Sequence, residues 1–373
     1  MTSPARTRPV WAEVDLGAVS ANYRELRRRL RPGVKIIAAI KANAYGHGAI
    51  EVARILAAEG ADWLATGSFD EAVAVREARI ETPMLLFAGP LPDGMADAVA
   101  VGFVPTVYDH DSARAVSAAA RGSASVWIKV DAGLGRLGIP IEEAEAFARS
   151  VAELPNVLVQ GLYTHLPFVD AAGRRWAAER LSAFQALAES LVRAGLPLTF
   201  TQALSSAGIL AGLEDGSSAV CPGHVLYGLP SASPEIVDMA PFRPALRAVK
   251  TKLIHVSTHR KVRTAGIGGG VRLPAGAATG VVPFGRTDGY REPREGRRLY
   301  MLVRGQRVPV RGISLEHATL DLTGIEAAVG DEAVVLGEHG DEAISAAEIA
   351  DCQGAHVDDV VLAFDRHIPR FYV

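Results

Sequence analysis

Cysteine is almost missing from this chain: Cys221 and Cys352 stand alone among 373 residues. Two cysteines make neither a disulfide framework nor the spacing of a zinc site, so no structural metal is expected. Long apolar runs are missing as well. None reaches the roughly eighteen residues that a membrane helix requires, so no membrane partner is expected. A surplus of charge of one sign is also lacking. The formal net charge is −3, and no basic run is interleaved with aromatics, which argues against a nucleic-acid partner. The opening Met1-Thr2-Ser3-Pro4-Ala5-Arg6-Thr7-Arg8-Pro9 carries basic residues but no apolar stretch follows. A secretory signal is therefore not expected, and a soluble, cytoplasmic protein is.

What is present is apolar substance: 49% of the residues are hydrophobic, and 373 residues exceed the usual single-domain size. Two domains with two cores are the default. Up to about residue 240, short apolar strands alternate with alanine-rich helical stretches. Strand candidates are Ile36–Ile40, Trp63–Thr66, Met84–Phe87, Val126–Val130, Val157–Leu162 and Leu198–Thr201. Helix candidates include Ala18–Leu30, Ala49–Glu59, Phe69–Glu77, Glu142–Ala152 and Arg174–Ala194. The count fits an α/β fold, a (β/α)8 TIM-type barrel over residues 1–240. Around Pro241-Phe242-Arg243-Pro244 the texture changes to turns and short strands such as Val281–Phe284, Tyr300–Val303, Arg307–Val310 and Glu332–Leu336. Residues 241–373 thus read as a mostly β C-terminal domain.

Lys41 ends the apolar run Val34–Ile40 and opens a small-residue loop. The carboxyl ends of such strands carry the chemistry in barrels and open α/β sheets. A lysine there is a candidate Schiff-base former if its surroundings lower its pKa. A solvated lysine at a strand edge is the other reading, and position alone leaves both open.

The stretch Lys41-Ala42-Asn43-Ala44-Tyr45-Gly46-His47-Gly48 resembles the pyridoxal-phosphate lysine motif of alanine racemases. Lys129-Val130-Asp131-Ala132-Gly133-Leu134-Gly135-Arg136-Leu137-Gly138 is similar to that family's second signature, and Ile368-Pro369-Arg370-Phe371-Tyr372-Val373 to its usual carboxyl end. The resemblance implies pyridoxal 5′-phosphate as cofactor, an amino acid as substrate, and a head-to-tail homodimer whose C-terminal domain completes the partner's site. It implies roles residue by residue. Lys41 is the Schiff-base lysine and an acid/base on one face of the substrate Cα, and Tyr45 reaches the phosphate. Arg136 contacts the phenolic oxygen, oriented by Lys129, which is often carbamylated in the family. His165 packs on the pyridine ring, Ser206 binds phosphate, and Gly223 and His224 supply backbone amides to it. Without the resemblance, each has a structural reading: a packed loop aromatic, a surface arginine, a hydrogen-bonded histidine.

The pattern breaks at several positions. Arg286, in Gly285-Arg286-Thr287-Asp288-Gly289-Tyr290, stands where the family's second base is a tyrosine. Arginine as a residue holds its proton across the neutral range and suits a carboxylate better than proton transfer. Tyr290 matches a later aromatic of that motif and is no obvious substitute. Cys221 stands where the family directs an arginine at the ring nitrogen; a thiolate would favour a protonated ring, a neutral thiol would do little. Asp358 replaces a gate tyrosine that binds phosphate, Ile267 replaces another, and Glu316 falls, across a one-residue gap, near a run that binds the substrate carboxylate. Three functions follow as expectations. One is a racemase-like enzyme that has lost efficient two-base alanine racemisation. A second is another pyridoxal-phosphate reaction, such as decarboxylation, retro-aldol cleavage, elimination or side-chain transfer, on a different and possibly D-configured amino acid. The third is a cofactor-binding protein without turnover.

Overall fold

The computed structural model of the chain describes residues 8–88, 90–265, 270–364 and 368–373. Runs such as Ile36-Ile37-Ala38 and Val126-Trp127-Ile128 are apolar on both faces, so they form strands only where both faces are covered. Eight strands form a parallel ring, with the two-residue Ile139–Pro140 paired beside the fifth: β1 Lys35–Ala39, β2 Trp63–Thr66, β3 Met84–Leu86, β4 Val104–Val107, β5 Ala124–Asp131, β6 Val157–Tyr163, β7 Phe200–Gln202 and β8 Ala219–Val220. Each pairs with the next, and Ala219 and Val220 pair with Lys35 and Ile36 to close the ring. The result is the (β/α)8 barrel that the alternation predicts.

Helices between the strands start where a polar side chain takes an orphan amide. Ser68 accepts from Glu71 N at 3.3 Å, Asp109 from Ser112 N at 2.7 Å and Asp170 from Gly173 N at 2.8 Å. The barrel interior is filled by large aromatics. Trp127 stacks on Phe200 with centroids 5.1 Å apart, and Trp63 meets both edge-on or tilted at 5.4 and 5.6 Å. Ile37, Leu85, Ala65, Tyr163 and Ala219 complete this cluster, and Cys221 packs against it from the end where the strands finish. The centre is therefore a packed core, and chemistry is confined to the loops at the strands' carboxyl ends.

By contacts the chain divides into two units, residues 17–44 with 48–243, and residues 1–16, 45–47 and 244–373. The strand Val10–Val14, which the sequence places in the 1–240 barrel, belongs to the second unit. It pairs antiparallel with Leu246–Lys252 and parallel with Arg370–Tyr372. Glu13 gives the reason: its carboxylate bridges Lys250 at 3.0 Å on a half-polar sheet face, whereas a barrel strand buried on both sides would strand that charge. The sheet of this unit runs His255–Thr258, Ala278–Val282, Ala318–Asp321, Gln306–Ile313, Tyr300–Val303, Glu332–His339, Leu246–Lys252, Val10–Val14, Arg370–Tyr372, with Glu342–Ile344 beside Glu332–His339. Among the described residues no helix is long and apolar enough to cross a membrane.

Candidate active site

Lys41 follows β1 directly, and the small-residue loop expected after it is instead one turn of helix of the left hand. Ala42, Asn43, Ala44 and Tyr45 all have φ of +53 to +54°. For residues with a Cβ, a left-handed turn costs about 1–2 kcal/mol per residue, so it persists only where its surroundings over-determine it. Ala44 N donates to Ile40 O at 2.7 Å, Gly48 N to Asn43 O at 2.9 Å, and Ala49 N to Asn43 Oδ1 at 2.8 Å. Asn43 N donates to Glu71 Oε1 at 2.5 Å, and the other oxygen of Glu71 accepts the Thr66 hydroxyl. Alanine and asparagine suit the turn because one has the smallest Cβ substituent and the other tolerates this region. Tyr45 closes the turn and is buried.

Around the mouth of the barrel the predicted cofactor residues come together electrostatically. The Lys129 ammonium lies 4.2 Å from the centroid of the Tyr163 ring. Burial, with Arg136 and Lys41 adding to it, holds the Lys129 amine down to about 7, against the opposing pull of Cys221 and Asp131. His165 lies just past β6. Burial and then the charges of Lys129, Lys41, Arg136 and His224 hold its imidazole down to about 3, so it is neutral. Cys221 keeps some accessible surface at the mouth, yet its sulfur is ringed by protein. Burial pushes the thiol up to about 12 although Lys41 and Lys129 pull it down. At neutral pH Cys221 is therefore a thiol, which removes the thiolate alternative. Tyr163 is anchored by Thr106 Oγ1 at 2.9 Å and Phe87 O at 3.1 Å.

Asp131, which ends β5, builds the loop that carries Arg136. Its Oδ1 accepts Gly133 N at 2.8 Å and Gly135 N at 3.1 Å. Burial alone would raise its pKa, but the backbone N–H groups of Gly133, Gly135, Leu134 and Arg136 lower it overall. Gly138 must lack a side chain: its φ is +128°, and a Cβ would sit 2.6 Å from Asp131 N. Ser206 Oγ is buried and accepts Gly223 N at 3.0 Å and Val225 N at 3.3 Å, with His224 between them. The loop is fixed from behind by Tyr227 Oη donating to Ala39 O at 2.8 Å and by Asn22 donating to Leu226 O at 3.1 Å. Lys129 thus senses Lys41, Arg136 and Cys221, His165 senses Lys129, Lys41, Arg136 and His224, and Ser206 and Gly223 share a hydrogen bond. Asp131, Glu71 and Thr66 are the supporting residues that sequence reasoning missed. Only Asp131 had a signal, an acid at a strand end before a glycine-rich turn.

In the other unit, Arg286 N donates to Ser314 O at 3.0 Å and Thr287 N to Leu315 O at 2.9 Å, which docks residues 285–290 on the loop carrying exposed Glu316. The Arg286 guanidinium meets Glu292 at 3.2 Å, and both side chains are about half exposed. Buried Asp288 is held by Arg8 through bonds of 2.6 and 2.8 Å. Asp358 lies in the first turn of Val357–Ala363, whose last residue is so close that a Cβ on Gly289 would be 2.6 Å from Ala363 Cβ. The segments of Arg286, Glu316 and Asp358 are thus brought into one part of this unit. Tyr290 is fully buried, its hydroxyl donates to Tyr300 O at 3.2 Å, and burial raises its pKa, so its phenol is engaged inside the core. Ile267 lies outside the described residues.

The depressed Lys129 value makes a stability prediction. Between about pH 7 and the ordinary lysine value, the unfolded chain carries a proton that the folded chain does not, so stability rises with pH by at most about 1.4 kcal/mol per unit. Below that window the full penalty of charging the buried amine persists. Lys129→Met is expected to raise the unfolding free energy of cofactor-free protein most at about pH 6 and least at about pH 10, read by urea titration. Parallel pH curves for the two proteins would sink this assignment.

Compared with known proteins, the family profile described as alanine racemase, N-terminal domain, matches residues 14–231, and that described as alanine racemase, C-terminal domain, matches residues 246–372. A relative named alanine racemase from Syntrophobacter fumaroxidans is 36% identical over 363 residues, 96% of each chain. One from Desulfovibrio desulfuricans is 34% identical over 98% of each. Among solved structures, an alanine racemase from Streptomyces coelicolor A3(2) has a TM-score of 0.88 at 30% identity over 98% of both chains. That from Bacillus anthracis with bound L-Ala-P has a TM-score of 0.89 at 28% identity, over 99% of this chain and 96% of its own.

Proposed function

The chain belongs to the alanine racemase family, enzymes that work with pyridoxal 5′-phosphate, and from that premise we propose that it acts on amino acids through Lys41 on one face of Cα, without a tyrosine base on the other. The observation that carries this reading is the placement of Lys41 at the end of β1, within electrostatic reach of Lys129, Arg136, His165 and Cys221.

The donor set fits the cofactor. Converging cations suit a phenolic oxygen, and a buried serine hydroxyl with loop amides suits a phosphate ester. When bound, the cofactor supplies an electron sink for the charge left at Cα when a proton departs. Lys41 holds it covalently and carries the proton. Arg136, ordered by Asp131, addresses the phenolic oxygen together with Lys129, while Ser206, Gly223, His224 and Tyr45 serve the phosphate. His165 stays neutral beside the ring, and Cys221, as a neutral thiol, brings no charge to the ring nitrogen. Arg286 and Glu316 belong to the substrate side of a head-to-tail homodimer, with Asp358 at its entrance, each contributed to the partner's site. The half-exposed guanidinium of Arg286 favours a second reading in the same frame, a non-alanine amino acid whose carboxylate it holds by a bidentate fork.

Incubation of cofactor-loaded protein with D- and L-alanine in deuterated water tests the proposal. Cα exchange favouring the D-enantiomer, which is the face the family's lysine serves, is expected with little interconversion. Rapid and equal interconversion of both enantiomers would falsify the loss of the second base.

A further inference from the structure

The left-handed turn after Lys41 raises a question that the active-site residues do not answer: what keeps four consecutive residues with side chains in that conformation. Backbone bonds close part of it, but the Asn43 N–H leaves the turn and ends on Glu71 Oε1 at 2.5 Å. The second oxygen of Glu71 takes the hydroxyl of Thr66, a fully buried residue at the end of β2. Thr66 Oγ1 in turn accepts Ser68 N at 3.2 Å, and Ser68 caps the helix that carries Glu71, so the carboxylate is fixed from both sides. The strand β2 is also the neighbour that holds the residue before Lys41, through Ile40 N to Ala65 O at 2.9 Å. Lys41 is thereby tied to β2 on each side, by backbone before it and by Glu71 after it.

We propose that Glu71, anchored by Thr66, is a positioning residue that holds the 42–45 turn left-handed and so aims the Lys41 amine. The proposal rests on Lys41 as the cofactor-bonding lysine. With Glu71 removed, residues 42–45 relax toward the right-handed region, and Lys41, whose ψ is set by the following peptide, turns with them.

Full-length cofactor-free protein is mixed with pyridoxal 5′-phosphate, quenched with borohydride at intervals, and mapped by peptide mass. The Lys41 amine joins the aldehyde carbon with loss of water; hydride from borohydride and a proton from solvent then fix the bond as a secondary amine. Glu71→Ala is expected to slow labelling of Lys41 by about tenfold, the size of one charge-assisted hydrogen bond. Glu71→Gln, which keeps an acceptor for Asn43 N, is expected to stay within about threefold of the unaltered protein. Ala42 is exposed with φ +54°, and glycine enters that region without a Cβ penalty. Ala42→Gly added to Glu71→Ala is therefore expected to recover much of the rate, which a merely structural role for Glu71 would not produce. If Glu71→Ala fails to fold, Thr66→Val supplies the comparison, with labelling slowed at least about threefold. Equal labelling rates at Lys41 in the unaltered and altered proteins overturn the proposal and leave the proposed function standing. Absence of label on Lys41 in the unaltered protein overturns both.

Discussion

Arg286→Tyr is expected to raise the interconversion of D- and L-alanine by roughly 10²–10⁴-fold, the range that a positioned general acid/base contributes. Arg286 starts a short turn whose shape depends on backbone bonds to Ser314 and Leu315 and on buried Asp288 held by Arg8. None of these uses the guanidinium. The guanidinium itself meets half-exposed Glu292 at 3.2 Å and donates a long 3.4 Å bond to Ile313 O, so its loss strands no buried charge and changes stability by no more than about 1 kcal/mol. Nor is another tyrosine available nearby, because Tyr290 spends its hydroxyl on Tyr300 O inside the core. Under the proposed function, a phenol at position 286 would supply a proton-exchanging group, a role for which a guanidinium side chain is poorly suited. Chiral chromatography of alanine after timed incubation reads the result. No gain over the unaltered protein, with Lys41-dependent exchange intact, would show that position 286 does not face Cα.

How legible this site was depends on whether each residue acts through local pattern or through distant pairing. Trp63–Thr66 and Phe69–Glu77 are bounded by their own sequences, a four-residue apolar run and a Ser68 cap, and the structure gives the same limits. Val104–Val107 escaped because Pro105 interrupts it, which is tolerable only where neighbours fix the strand. Ala219–Val220 is too short to carry a period at all. Val10–Val14 fell within the 1–240 barrel span on sequence, since its actual partners lie more than two hundred residues away. Lys41, Ser206 and Gly223 were singled out through motifs, whereas Glu71 and Thr66 were not, because a helix-start glutamate and a strand-end threonine have ordinary reasons to occur. The left-handed turn has no signature either: Ala-Asn-Ala-Tyr is also a plausible right-handed or irregular segment. The state of Cys221 depended on burial, which only the packing against Trp127 and Tyr163 and their neighbours decides.

Lys41→Ala is expected to abolish Cα exchange, by at least about 10³-fold, since under the proposed function Lys41 is both the covalent anchor and the proton carrier. Loss of activity alone would not separate these roles from a collapsed site, but the electrostatics of the cluster supply a second readout. Lys41 is one of the charges that hold Lys129 down to about 7 and His165 down to about 3. Removing a cation makes it easier to charge its neighbours, so both values move up in Lys41→Ala. The sign then follows: each group's folded value lies below its unfolded value, and bringing the two closer relieves a penalty that is fully present below the folded value. Cofactor-free Lys41→Ala is thus expected to be more stable than the unaltered protein at about pH 6, and the advantage should vanish well before about pH 10, once Lys129 is uncharged in the folded state of both proteins. Lys41→Arg keeps the charge and removes the nucleophile, so it should lose exchange to the same extent without the gain in stability. Urea titrations of the three proteins across that range distinguish the cases. If Lys41→Ala and Lys41→Arg have the same pH dependence, Lys41 does not face the buried amine of Lys129, and the cluster at the end of β1 is not the site described.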